Sequence, residues 1–222
     1  MKRLKRILKW LLTLLVILLG IPLLGLLGMW ATYTHVTSAK PGALETAARP
    51  GTLGAEVDPF IATGGFSWMC GHDSPAAAVP FGMVRLAPDT ASLFIDQQGL
   101  NRSGYFYGDN KIIGFSHTRL VGADAMEGGV FRIFPAIAPL AGGEPSDERY
   151  ARFSHSNEKA FPGYYAVRLP KEDILAELTA TARAGVHRYT FPANGTPHLV
   201  LDVSSALGDK RSTNGSVRIL PE

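Results

Sequence analysis

Hydrophobic and polar positions divide the chain into stretches of different period. Residues 10–30, WLLTLLVILLGIPLLGLLGMW, run 21 positions without a charge. A helix that is apolar all round suits lipid or the middle of a large core. At 1.5 Å per residue it spans roughly 30 Å, the thickness of a hydrocarbon core. The pattern predicts a transmembrane helix over 10–30, with Trp10 and Trp30 at the two interfaces. Pro22 falls inside it, which membrane helices tolerate. Residues 31–56 are rich in Ala, Thr, Gly and Pro and keep no period, so they read as a linker.

Further along, the period drops to two. In 163–169 (GYYAVRL), Tyr165, Val167 and Leu169 alternate with Tyr164, Ala166 and Arg168. In 173–183, Ile174, Ala176, Leu178, Ala180 and Ala182 share one face, opposite Glu177, Thr179, Thr181 and Arg183. Shorter strand candidates lie at 84–86, 111–116, 129–137, 186–191, 199–203 and 215–220. Pro170-Lys171, Ala184-Gly185 and 192–195 (PANG) supply turn chemistry between them. Short strands on tight turns predict an all-β, antiparallel β-sandwich over 57–222, preceded by one transmembrane helix.

Charge sets the topology. Lys2, Arg3, Lys5, Arg6 and Lys9 crowd into residues 1–9, and the next basic residue is Lys40. The positive-inside rule keeps 1–9 cytoplasmic and places the sandwich on the outer side. A cleaved signal peptide shares the basic start and apolar middle. Its apolar region is usually 7–15 residues, and only Thr37-Ser38-Ala39 offers a weak cleavage point. The formal net charge of +3 comes from that N-terminus, since 17 basic residues remain against 19 acidic ones beyond it. Nucleic-acid binding needs a basic face, and none is present outside the first nine residues. Cys70 is the only cysteine, so no intrachain disulfide forms. CxxC and HExxH zinc patterns are absent.

Candidate chemistry sits in loops. Gly64-Gly65, in VDPFIATGG, allow close backbone approach to a ligand, though an ordinary turn uses the same pair. Asp89, in VPFGMVRLAPDT, either caps a turn or points into a site. Residues 103–109 (SGYFYGD) and 114–118 (GFSHT) mix aromatic and polar groups, as sugar recognition requires and as sandwich cores also do. His117 alone reads equally as a structural histidine. The charges of 152–160 (RFSHSNEKA) read as a solvated loop. Glycoside hydrolysis usually needs two flanking carboxylates, and the 19 acids offer no pair on sequence grounds.

In order along the chain, VDPFIATGG, VPFGMVRLAPDT, SGYFYGDNKIIGFSHTRLVG, RFSHSNEKAFPGYYAVRL and ELTATARAGVHRYTF resemble the N-terminal domain of glycoside hydrolase family 92, the calcium-dependent exo-α-mannosidases. The resemblance covers Val57 to about Ala206 and leaves out the apolar segment and linker. It implies an inverting enzyme whose β-sandwich packs on a larger (α/α)-barrel domain. Acid, base and most of the calcium site then belong to the barrel, so the resemblance places no catalytic residue in this chain. By the same resemblance Gly64, Gly65, Trp68, His72, Asp89 and His117 are the expected substrate contacts, and a mannose-containing glycan the expected partner. Ala62 stands where the family usually has Gly. FSWMCGHDSPAAA departs from the HGHTFPGA-like form, and VGADAMEGG adds Asp124 and Glu127 to the commoner turn. With the chain ending at Glu222, the expectation is a portion inactive by itself. A non-catalytic carbohydrate-binding or interaction module is the competing expectation.

Overall fold

A computed structural model describes residues 2–65, 72–91, 103–122, 127–137, 149–208, 213–218 and 220. The chain divides into Met1–Thr37 and Ser38–Glu222. The first unit is one helix, α1 (Lys2–Thr37), longer at both ends than the apolar run. Its last turns are extended by Thr32 and Thr37, whose hydroxyls donate to the carbonyls of Gly28 and Tyr33 at 2.9 Å. Among the described residues, α1 is the one helix long and apolar enough to cross a membrane.

The second unit is the sandwich. One sheet holds β1 (Ala87–Ala91), β2 (Lys111–Ser116), β3 (Arg132–Ala136) and β9 (His198–Asp202), in that order. The short β4 (Ala151–Arg152) pairs with the start of β2. The other sheet runs β5 (Glu158–Phe161), β6 (Tyr164–Leu169), β7 (Ile174–Ala180) and β8 (Gly185–Thr190). Each neighbouring pair is antiparallel. The period-two reading of β6 and β7 sets the register: Tyr165 faces Leu178, Val167 faces Ala176 and Leu169 faces Ile174. All six are buried and join Leu86, Ile112, Phe115, Phe60 and Tyr105 in a single core. A one-residue slip would send that whole set to the opposite face.

Two sequence expectations change here. The stretch expected as a linker over 31–56 is irregular only after Thr37, where α1 ends, and Ser38 onward is grouped with the sandwich unit. The Leu44 amide donates to the Glu158 carbonyl at 3.0 Å, covering an edge strand whose backbone would otherwise be open. A segment without side-chain period can still dock through its backbone. The expected strand at 215–220 is also absent among the described residues of that stretch. Val217 and Leu220 are 59% and 65% exposed, so they gain no burial that would hold them extended.

Ala62 has φ 63, the left-handed region that glycine occupies at no steric cost. This is the position where the resemblance expects glycine. Ala62→Gly relieves strain of about 1–2 kcal/mol and costs roughly 0.5–1 kcal/mol in chain entropy. The expected result is a Tm equal to or a few degrees above that of the unaltered chain, measured by thermal unfolding. A clear fall in Tm would contradict the strain assignment.

Candidate functional site at the loop end of the sandwich

The segments singled out by sequence converge where β1 begins and β2 ends. The anchor is Arg119, three residues past β2, whose side chain has no solvent exposure. Its Nε donates to the Arg85 carbonyl at 3.2 Å, and Nη1 to the carbonyls of Pro88 (3.2 Å) and Ser103 (2.9 Å). Its Nη2 meets the Ala87 carbonyl at 2.8 Å, Ser116 Oγ at 2.9 Å and Asp89 Oδ1 at 3.0 Å. Burial lowers the pKa of Arg119, and the Asp89 carboxylate opposes that shift. Five donors in a planar fork suit this work, which no lysine could do.

Asp89 is 1% exposed, and protein donors take both its oxygens. Ser116 Oγ and Arg119 bind Oδ1, and Arg132 Nε binds Oδ2 at 2.9 Å. Arg132 comes from β3, across β2 from β1. It reaches Asp89 because Gly114 stands opposite Asp89 in the register. A Cβ on Gly114 would fall 2.5 Å from Arg132 Cγ. Ser205 Oγ accepts from the Arg132 amide and donates to the Gly129 carbonyl, at 3.0 and 2.6 Å. Asp89 is thus held inside the loop base and neither caps a turn nor opens to a cleft.

The remaining candidates rest on this base. Gly64 is buried and Gly65 has φ 99. Their segment is tied down by the Tyr107 amide, which donates to the Thr63 carbonyl at 2.8 Å. The His72 carbonyl accepts from the Gly122 amide at 2.6 Å, and Ser103 Oγ donates to the Asp73 carbonyl at 2.5 Å. His72 therefore meets the far end of the segment that His117 begins. Trp68 and Asp124 lie outside the described residues, while Glu127 is exposed.

His117 is half-buried and faces the second sheet. Its Nδ1 lies 2.9 Å from the Phe131 carbonyl and its Nε2 3.1 Å from His187 Nε2 on β8. His187 Nδ1 lies 2.7 Å from the Tyr189 hydroxyl. Burial and then the neighbouring His117 push the His187 pKa down to about 4.

Sequence reading passed over Asp73, next to His72. Burial raises its pKa, against the Ser74 amide and the Arg85 charge. It also misread 152–160. Glu158 is wholly buried, not solvated, because Tyr105 and Tyr165 donate to its two oxygens at 2.8 Å and His155 Nδ1 bonds to Oε1. Tyr107 stacks on His155 with ring centroids 3.7 Å apart. Nearby Asp109 is pushed up to about 6 by burial, while the Thr90 hydroxyl and the His155 charge oppose the rise. Tyr105, which the sequence left open between core and sugar platform, points inward to a carboxylate. Among the described residues no three His, Cys, Asp or Glu side chains gather as a metal site. Those residues do not by themselves fit a calcium ion.

A family profile, Glycosyl hydrolase family 92 N-terminal domain, matches residues 56–222. A family 92 α-mannosidase of Bacteroides thetaiotaomicron, solved with mannoimidazole, is 32% identical with a TM-score of 0.59. The match covers 71% of this chain and 20% of that one. The solved family 92 glycosyl hydrolase ccman5 is 35% identical with the same TM-score, over 69% of this chain and 20% of its own. A protein of Arthroderma benhamiae described as an uncharacterized secreted glycosidase is 28% identical over 134 residues. That match spans 56% of this chain and 16% of the relative. The chain thus spans about a fifth of the solved relatives and less of the curated one. By its profile match, its two antiparallel sheets and the order of its five motifs, the chain belongs to glycoside hydrolase family 92 through that family's N-terminal domain.

Proposed function

We propose that this chain is the sandwich portion of an inverting, calcium-dependent exo-α-mannosidase that acts on mannose-containing glycans. The observation that carries the reading is the convergence of the 58–65, 72–74, 103–107 and 117–122 segments on one buried base, in a chain 32% identical to a solved α-mannosidase. In this reading the loops bind and orient a sugar. Gly64-Gly65 let backbone approach it, Trp68 offers a face to stack on, and His72 offers a polar edge. Asp89 and His117 act from beneath by holding the loops. The carboxylates Asp89, Glu158 and Glu177 are each occupied by protein donors, and the family resemblance assigns the acid and the base to the barrel domain. Inversion needs room for a water between base and sugar, which two separated carboxylates provide. Calcium, likewise, is assigned to residues outside those described. The same occupied carboxylates favour a second reading, a carbohydrate-binding module without catalysis of its own.

The purified 222-residue chain should leave aryl and disaccharide α-mannosides intact. Calcium-dependent mannose release by it would show that the acid and base have been misplaced. In a polypeptide of the solved relatives' length, Trp68→Ala should lower kcat/KM by roughly 5- to 150-fold, the worth of one lost contact of about 1–3 kcal/mol. Unchanged kinetics with unchanged glycan binding would remove Trp68 from the sugar site. Glycan binding without hydrolysis at that length would favour the second reading.

The proposal also makes α1 an uncleaved anchor with the sandwich outside. The basic run before the apolar span supports it. Protease added to sealed cells should digest the sandwich and spare the N-terminus. Protection of the sandwich, or a mature chain starting near Lys40, would overturn the anchor.

A further inference from the structure

We propose that Tyr189, His187 and His117 form a proton-ordered chain that positions the Phe131 turn beside the loop end, and that one added proton reverses the order at its Tyr189 end. The inference stands independently of the glycan reading.

The order of the protons follows from the last acceptor. The Phe131 carbonyl can only accept, so His117 Nδ1, 2.9 Å away, carries the hydrogen. In a neutral imidazole the other nitrogen is then bare. His117 Nε2 must accept, so the hydrogen on the 3.1 Å contact belongs to His187 Nε2. That leaves His187 Nδ1 bare, and the Tyr189 hydroxyl donates to it at 2.7 Å. Three side chains from two sheets therefore have one consistent arrangement, fixed by a backbone oxygen that cannot reverse.

What the chain holds is a strained turn. Phe131 has φ 56, which a residue with a side chain adopts at a cost, and the residue is 55% exposed. The bond to its carbonyl and the 3.2 Å bond from the His117 amide to the Val130 carbonyl fix the turn from below. Strain of this kind persists where the surroundings over-determine it. Room for the His117 ring comes from Gly185, where a Cβ would fall 2.8 Å from His117 Cδ2 and 3.2 Å from Nε2.

An added proton leaves the His117 Nδ1–H on the Phe131 carbonyl and changes the far end of the chain. On His117 Nε2 it requires His187 to move its own hydrogen to Nδ1, which turns the Tyr189 hydroxyl around. On His187 Nδ1 it would turn the Tyr189 hydroxyl around and leave a cation in a half-buried place. The groups facing the rings are Tyr189 and Gly185 on β8, Leu86 ahead of β1, the Phe131 carbonyl ahead of β3 and the Arg85 amide on the His117 carbonyl. Burial and His117 account for the His187 shift, with no carboxylate opposing it, and burial alone raises Tyr189. Since the folded-state pKa of His187 lies below the ordinary value, the chain is intact above about 6.5. Its contribution fades as pH falls toward about 4.

The test is nitrogen NMR of the full chain in detergent micelles, labelled at its six histidines. At pH 7 His117 should show the Nδ1–H form and His187 the Nε2–H form. At pH 5, where an ordinary imidazole is about 97% protonated, His187 should remain mostly neutral. The Phe131 carbonyl carbon shift should move with the His187 midpoint. His187→Phe removes the donor, so the His117 Nε2 shift should move while its Nδ1–H form, which the Phe131 carbonyl requires, stays. His187→Gln, whose amide N–H can replace the donor, should restore the Nε2 shift. An Nε2–H form at His117, a His187 already protonated at pH 6, or a Phe131 signal indifferent to His187 would each overturn the proposal. The wild-type spectrum decides the matter even where His187→Phe does not fold.

Discussion

A guanidinium with no access to water is the constraint on which the loop end of this sandwich depends. Arg119 cannot shed its charge and cannot reach solvent, so every N–H must find an oxygen inside the fold. It finds carbonyls at Arg85, Ala87, Pro88 and Ser103 and a carboxylate at Asp89. Those oxygens come from two separate stretches of chain, 85–89 and Ser103. Removing the carboxylate from such a pair costs about 3–5 kcal/mol, chiefly because the charge left behind stays buried. Loops without regular hydrogen bonding of their own are thereby fixed by one side chain.

The second sheet has its own polar centre, and the two differ in kind. Glu158 gathers the hydroxyls of Tyr105 and Tyr165 under the Phe60 and Tyr107 rings, which ties the 103–109 loop to β5 and β6. Between the two centres the core is aliphatic and aromatic, with Leu86, Phe115, Leu178 and Val167 in one buried cluster. The core sets the sandwich; the ionic base and the Glu158 centre set its loops. The described loop segments 103–109 and 117–122 are thus fixed before any ligand arrives. Such preorganisation is what a binding site on a rigid scaffold needs.

Period two made the second sheet legible, because each residue of β6 and β7 declares its face by burial. The same rule failed at 215–220, where alternation has no partner strand to act on. It was silent at 38–56, where docking runs through the Leu44 amide and a few isolated side chains such as Ala39 and Thr46 and not through a periodic face. Asp89 was visible as a candidate, but its partners Arg119 and Arg132 stand 30 and 43 positions away, and residue type alone does not pair them. Gly114 opposite Asp89 and Gly185 beneath His117 were the available signals, since a glycine within a strand often marks a close approach. Glu158 was misread because a charged residue in a polar loop is usually solvated. Its burial follows from two tyrosines contributed by distant segments.

Hydrogen exchange of the full chain, with Asp89 intact and as Asp89→Asn, tests the central claim most directly. The substitution keeps the shape and removes the charge that Arg119 and Arg132 share. If the ionic base holds the loop end, amides in 103–108 and 117–122 should lose protection by an order of magnitude or more, while β6 and β7 keep theirs, since a loss of about 1.4 kcal/mol is already tenfold. Loops that stay as protected as before would contradict the account, and so would an equal loss across both sheets.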